Sequence, residues 1–170
     1  MNPGGGWAVR QDALCKCHEL YGPGVDVALQ LTFPALVVAA AGIAVLHVRA
    51  FTAGPSRRTV TMAALLTAVS LIAWMMTARV FSPQYMIWLA APLAVLGTLS
   101  GAPLARLDLA FVAAAALLTH LIYPLGYEAV LVERHPLQPI FLVIATLRDA
   151  LVVALGVRLA IQTWRLTRRA

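Results

Sequence analysis

The sequence predicts an all-α fold, a polytopic transmembrane bundle of about five spanning helices, and three observations carry that prediction. The composition is 61% hydrophobic and 12% charged, against about 45–50% and about 25% in soluble domains. The apolar residues are gathered into runs of roughly 20, the length that crosses about 30 Å of hydrocarbon as helix. Most arginines stand between and after these runs, where helix ends meet the headgroups of anionic lipid. That placement also accounts for the net charge of +6 without nucleic acid as a partner. The mean hydropathy is +0.83.

Residues 1–26 read as an N-terminal loop. Gly4-Gly5-Gly6 and Tyr21-Gly22-Pro23-Gly24 break regular structure, and no apolar stretch of signal-peptide type is present. Cys15 and Cys17 stand in Cys-Lys-Cys-His. A structural zinc site wants a wider spacing and a second ligand pair, and the sequence has neither, so no metal is expected there. The first helix is expected over 27–48, with Pro34 kinking its early turns, as membrane helices tolerate. Arg49 ends it, and Gly54-Pro55-Ser56-Arg57-Arg58 makes a basic turn. The second helix is expected over 59–78. Ser82 as N-cap and Pro83 in the first turn open a third over 83–99. The fourth, over 107–123, begins with Asp108 in a first turn that favours an acid and stops at Pro124 and Gly126. A polar loop follows, then a fifth helix over 137–164. Residues 165–170 read as a basic cytoplasmic tail.

The distribution of positive charge sets the expected orientation. Seven arginines (Arg49, Arg57, Arg58, Arg106, Arg165, Arg168 and Arg169) fall on one side of such a bundle, and Arg10, Lys16, Arg79 and Arg134 on the other. The richer side is taken as the cytoplasm of a cell inner (plasma) membrane. The N-terminus, the 79–84 turn and the 126–136 loop then share the outer face.

Two features stand out as chemistry. Arg79, Ser82, Gln84 and Tyr85 surround an expected helix N-terminus at the outer interface. Free backbone N–H groups, a guanidinium, a hydroxyl and an amide there would suit a phosphate. Arg148-Asp149 lies inside the fifth helix near mid-bilayer, where a charge is expensive unless it is partnered or faces a cavity. Adjacent helix residues point in different directions, so the two need not pair with each other, and His120 and Thr119 of the fourth helix are candidate partners. Arg158 is expected to snorkel toward the cytoplasm. His47 reads as interfacial, and Glu128, Glu133 and His135 as solvated loop residues. No phosphate-loop, dinucleotide, zinc-protease or serine-hydrolase motif is present, and no cofactor is expected.

The block Val80-Phe81-Ser82-Pro83-Gln84-Tyr85-Met86-Ile87-Trp88-Leu89-Ala90-Ala91-Pro92 resembles one found in bacterial membrane glycosyltransferases of the GT-C superfold, family 87, the polyprenol-phosphate-mannose-dependent mannosyltransferases. Leu118-Thr119-His120-Leu121-Ile122-Tyr123-Pro124-Leu125-Gly126-Tyr127 is similar to that family's penultimate helix. Leu147-Arg148-Asp149 is similar to its last-helix Arg-Asn pattern, with Asp149 where Asn is more usual. The three blocks cover roughly residues 30–160. The resemblance implies transfer of a sugar, mannose first, from a polyprenyl-phosphate donor on the outer face. Arg79, Ser82, Gln84, Tyr85 and Arg148 would line the donor phosphate. The family's catalytic carboxylate lies in an outer loop that precedes the matching blocks. Asp12, Glu19 and Asp26 match no part of its motif, so the catalytic residue is unknown. A missing N-terminal half or a partner subunit would supply it, and the chain alone is expected to be inactive. The competing expectation is a small non-enzymatic membrane protein, with Arg148 paired inside a packed bundle.

Overall fold

The computed structural model describes residues 8–11, 18–21, 24–52, 59–77, 85–98, 106–126, 129 and 136–168. Two four-residue strands, β1 (Ala8–Gln11) and β2 (His18–Tyr21), pair antiparallel, with Ala8 opposite Tyr21 and Gln11 opposite His18. Part of the segment read as loop is therefore a short ladder. The rest of the described chain is helical: α1 (Val25–Thr52), α2 (Thr59–Thr77), α3 (Tyr85–Trp88), α4 (Ala90–Thr98), α5 (Arg106–His120) and α6 (Gln138–Thr167). A π-helical turn, Leu121–Leu125, prolongs α5. The last helix takes in Arg165 from the expected tail and closes on Arg168.

Four segments are long and apolar enough to cross a bilayer: Val25–Thr52, Val60–Thr77, Leu107–Leu125 and Gln138–Thr167. Their outward surface agrees with that reading. Phe51 is 92% exposed, Val38 73% and Phe33 72%, which a water-facing surface would not sustain as a continuous apolar coat. The protein is a multi-pass membrane protein.

The fifth segment, Tyr85–Thr98, is shorter and broken, where one helix over 83–99 was expected. Pro92 has no N–H, and its ring crowds the carbonyl of Trp88, four residues back. The backbone yields there. Leu89 donates to the Met86 carbonyl three residues away at 3.3 Å, and α4 restarts with Leu93 bonded to Leu89 at 3.1 Å. Pro34 has a milder effect, because α1 runs unbroken through it. Tyr123, just before Pro124, leaves helical geometry at φ −133° and ψ 119°, the extended backbone a residue preceding proline prefers.

Helix directions follow from pairs far apart in sequence. The Arg49 guanidinium lies 3.9 Å over the Trp164 ring, so α1 and α6 finish at the same end of the bundle, hereafter the arginine end. Asp108, at the start of α5, is bonded to Arg158 and Gln162, so α5 begins there. Gly126, beyond the π-turn, abuts the Phe141 ring near the start of α6, so α5 finishes at the opposite end. The link 53–58 is too short to carry the chain far from Thr52, about 25 Å at full stretch, so α2 also begins at the arginine end. The chain must then return between Thr77 and Arg106, and α3–α4 is the helix available for it among the described residues. At 1.5 Å per residue it covers roughly 20 Å of the ~30 Å hydrocarbon layer. Residues 78–84 and 99–105 lie outside the described residues.

The core lies between α2, α4, α5 and α6. Leu65, Ala68, Ile72 and Met75 of α2 meet Leu89, Leu93 and Leu96 on one side and Val152, Leu155 and Leu159 of α6 on the other. The spacing of three and four places each set on a single helix face. Gly156 stands on the same stripe of α6, where a Cβ would come within 2.7 Å of Ile72 Cγ2. Its missing side chain is what lets α2 and α6 approach. By contrast α1 is peripheral, with Leu46 its one buried residue among those described.

Candidate functional site

Arg79, Ser82 and Gln84 lie outside the described residues. So do Cys15, Cys17, Glu128, Glu133 and His135. Tyr85 and Arg148 are described, and each has a definite setting.

Tyr85 opens α3 beside the last turn of α2. Its ring meets Trp74 edge-on with centroids 5.2 Å apart, and it tilts against Trp88 at 5.0 Å. Trp74 and Trp88 stack at 5.5 Å. Tyr85 and Trp88 are three apart on one helix and so share a face. Both tryptophans remain nearly half exposed. The result is a three-ring cluster at the end of the bundle opposite the arginines, with faces available for an apolar chain or a sugar ring.

Arg148 follows the buried stripe Arg148, Val152, Leu155, Leu159 and Thr163 of α6 and therefore points inward. Its side chain is 6% exposed and its partner is Asp149: Nε donates to Oδ1 at 2.9 Å, and Nη2 stands 2.7 Å from the same oxygen. The two neighbours, which need not pair on a helix, do pair here. Their Cβ atoms do point apart, but Arg148 is long enough to curl back to a carboxylate that faces outward, 42% exposed. His120 and Thr119 do not take the role of partners suggested for them. His120 is exposed, and the buried Thr119 hydroxyl donates to the Ala115 carbonyl of its own helix at 2.7 Å.

A second intramembrane ionic group was not anticipated. Asp108 is fully buried, and Arg158 does not simply snorkel to the surface. Its Nε donates to Asp108 Oδ1 at 2.6 Å, while Gln162 Nε2 donates to Oδ2 at 3.2 Å. Arg158 and Gln162 are one turn apart on α6, so both reach the same carboxylate across the α5–α6 seam. The Phe111 ring, one turn along α5 from Asp108, lies 6.0 Å from the guanidinium carbon. The i, i+4 spacing of Arg158 and Gln162 was the only local signal. Nothing in the sequence joins it to a residue 50 positions earlier.

The third feature is a groove of about 800 Å³ between α1, α2 and α6. Gly42, Leu46, Val69, Ile72, Ala73 and Val157 are among its walls, and among the described residues its charged lining is Arg165 and Arg168 at the arginine end. Trp164 also lines it, flanked by the Arg49 guanidinium and, at 5.3 Å, that of Arg168.

No protein-family model, curated protein or solved structure matches the chain. The functional reading therefore rests on the residues themselves. Chemically, the two ion pairs each neutralise a charge within the membrane. Among the described residues the groove has room for a ligand, and the aromatic cluster presents partly exposed rings.

Proposed function

We propose that this chain is the donor-binding part of a membrane glycosyltransferase that takes a sugar, mannose first, from polyprenyl phosphate on the outer face of the plasma membrane. The observation that carries the reading is the Ser82-Pro83-Gln84-Tyr85 block joined to the Trp74–Tyr85–Trp88 cluster. Aromatic faces beside a cationic, hydroxyl-rich segment are the chemistry that an isoprenoid phosphate bearing a sugar requires. In this reading the arginine end is cytoplasmic, the N-terminus lies outside, and the donor phosphate is held by Arg79, Ser82, Gln84 and Tyr85. Arg148 stands about ten residues, or roughly 15 Å, into α6 from the outer end. In this reading the chain contributes donor binding, and no catalytic carboxylate is assigned to it.

A second reading is a non-enzymatic integral membrane protein. It is favoured by the pairing of Arg148 with Asp149 and of Arg158 with Asp108, since each guanidinium already has a carboxylate.

Titration of a polyprenyl-phosphate sugar into the full chain in lipid nanodiscs separates the two. Donor binding predicts saturable uptake that Arg79→Ala/Arg148→Ala abolishes while the bundle stays folded. Equal uptake by both forms, or none by either, would leave the structural reading.

A further inference from the structure

We propose that the groove between α1, α2 and α6 is a binding site for one anionic membrane phospholipid, with an acyl chain along the groove and the phosphate held by Arg49, Arg165 and Arg168. The site lies at the opposite end of the bundle from Tyr85 and does not depend on the donor reading.

Three observations carry it. The first is the division of the groove into a long apolar part and a short cationic one. Its walls, Gly42, Val69, Ile72 and Val157 among them, offer nothing to a polar solute, and its volume of about 800 Å³ is that of a ligand cleft. It opens on exposed apolar helix faces, including Val45 and Val153. An occupant therefore arrives laterally from the hydrocarbon, and its polar group must sit at one end.

The second is uncompensated charge. Arg49 and Arg168 flank the Trp164 ring, and Arg165 and Arg168 line the mouth. Among the described residues neither ion pair involves these three arginines, and Asp108 and Asp149 are bonded to other guanidinium groups. The C-terminal ends of α1 and α6 converge there and oppose an anion, but each is worth only about half a negative charge. Three whole positive charges outweigh them.

The third is an orphaned donor. Arg49 Nε is buried and has no hydrogen-bond partner among the described residues. A buried N–H of a charged group without an acceptor is costly, and a phosphate oxygen at the mouth would satisfy it. Guanidinium pairs recognise phosphate through several charge-assisted hydrogen bonds at once. Phosphate, apolar chain and lateral access together specify a phospholipid.

Delipidated full-length protein would be reconstituted in phosphatidylcholine nanodiscs containing increasing phosphatidylglycerol, and retained lipid read by native mass spectrometry. One phosphatidylglycerol should be retained in preference to phosphatidylcholine. Arg49→Gln/Arg165→Gln/Arg168→Gln should reduce that preference at least about tenfold, the effect of one charge-assisted hydrogen bond. Gly42→Phe offers a separate handle. A Cβ at Gly42 meets nothing within 4 Å, so the ring should fill the groove and displace the lipid with thermal stability unchanged. Soluble glycerophosphoglycerol should fail to compete. Retention of phosphatidylglycerol unchanged in both variants would overturn the proposal. So would complete competition by the soluble headgroup, or a dimer that Gly42→Phe dissociates, which would make a second copy the occupant.

Discussion

Asp149 is the residue on which the electrostatics around Arg148 turns. Its carboxylate holds Arg148 through two contacts below 3 Å, so the pair is neutral and Arg148 offers no net charge to a phosphate. The amide expected from the resemblance would keep a hydrogen-bond acceptor and remove the negative charge. Asp149→Asn should therefore tighten binding of a polyprenyl-phosphate sugar by about tenfold, the scale of one charge-assisted hydrogen bond, at some loss of thermal stability. Unchanged affinity in the nanodisc titration would remove Arg148 from the donor site. Asp108 is the counterpart on the other half of α6. Asp108→Asn should lower the melting temperature, because it leaves the Arg158 guanidinium facing a neutral partner in a buried seam. Adding Arg158→Gln should recover part of the loss, and a double-mutant cycle in detergent would measure the coupling. Strictly additive losses would mean that the pair does not join α5 to α6. Neither pair was legible in the sequence, for different reasons. Arg148 and Asp149 are adjacent, and helix geometry argues against neighbours meeting until the reach of an arginine is considered. Asp108 and Arg158 each had a sufficient local explanation, a helix first turn and a snorkelling chain. Nothing asked either for a distant partner.

At the scale of the elements, the helices with long uninterrupted apolar runs were legible because bilayer thickness fixes how much helix is needed. Thr59–Thr77 falls one residue short of its expected end, and Val25–Thr52 begins two residues before its expected start. The structure departs from the expected 83–99 helix at Tyr85–Thr98, where the ring of Pro92 crowds the Trp88 carbonyl and the helix breaks. The expected N-terminal loop also holds the ladder of Ala8–Gln11 with His18–Tyr21, whose support is backbone pairing. The close approach of α2 and α6 rests on Gly156. Gly156→Val should force α6 away from the β-branched Ile72, which cannot swing its Cγ2 aside. Overpacking of this kind costs about 1–3 kcal/mol. Gly42→Val, made where a Cβ meets nothing, should leave the melting temperature within a degree or two, about the scatter of neutral surface changes. Equal effects of the two substitutions on thermal unfolding in detergent would contradict the α2–α6 contact.

For the whole molecule, everything functional depends on which residues share a face of the membrane. The pairs Arg49–Trp164, Asp108–Arg158 and Gly126–Phe141 set helix directions, and those directions require the short α3–α4 segment to bring the chain back. In the proposed reading five crossings put the two termini on opposite sides, with Tyr85 at one end of the bundle and the cationic groove mouth at the other. The most direct test is labelling with a membrane-impermeant maleimide in intact spheroplasts. The native Cys15 and Cys17 would be compared with Ala170→Cys in a chain lacking both, after Cys15→Ser/Cys17→Ser. The account predicts that the N-terminal thiols react in intact spheroplasts and that the C-terminal one reacts only after the membrane is opened. Labelling of both termini from the same side would mean an even number of crossings. The α3–α4 return would then be wrong, and the assignment of the two sites to opposite faces would go with it.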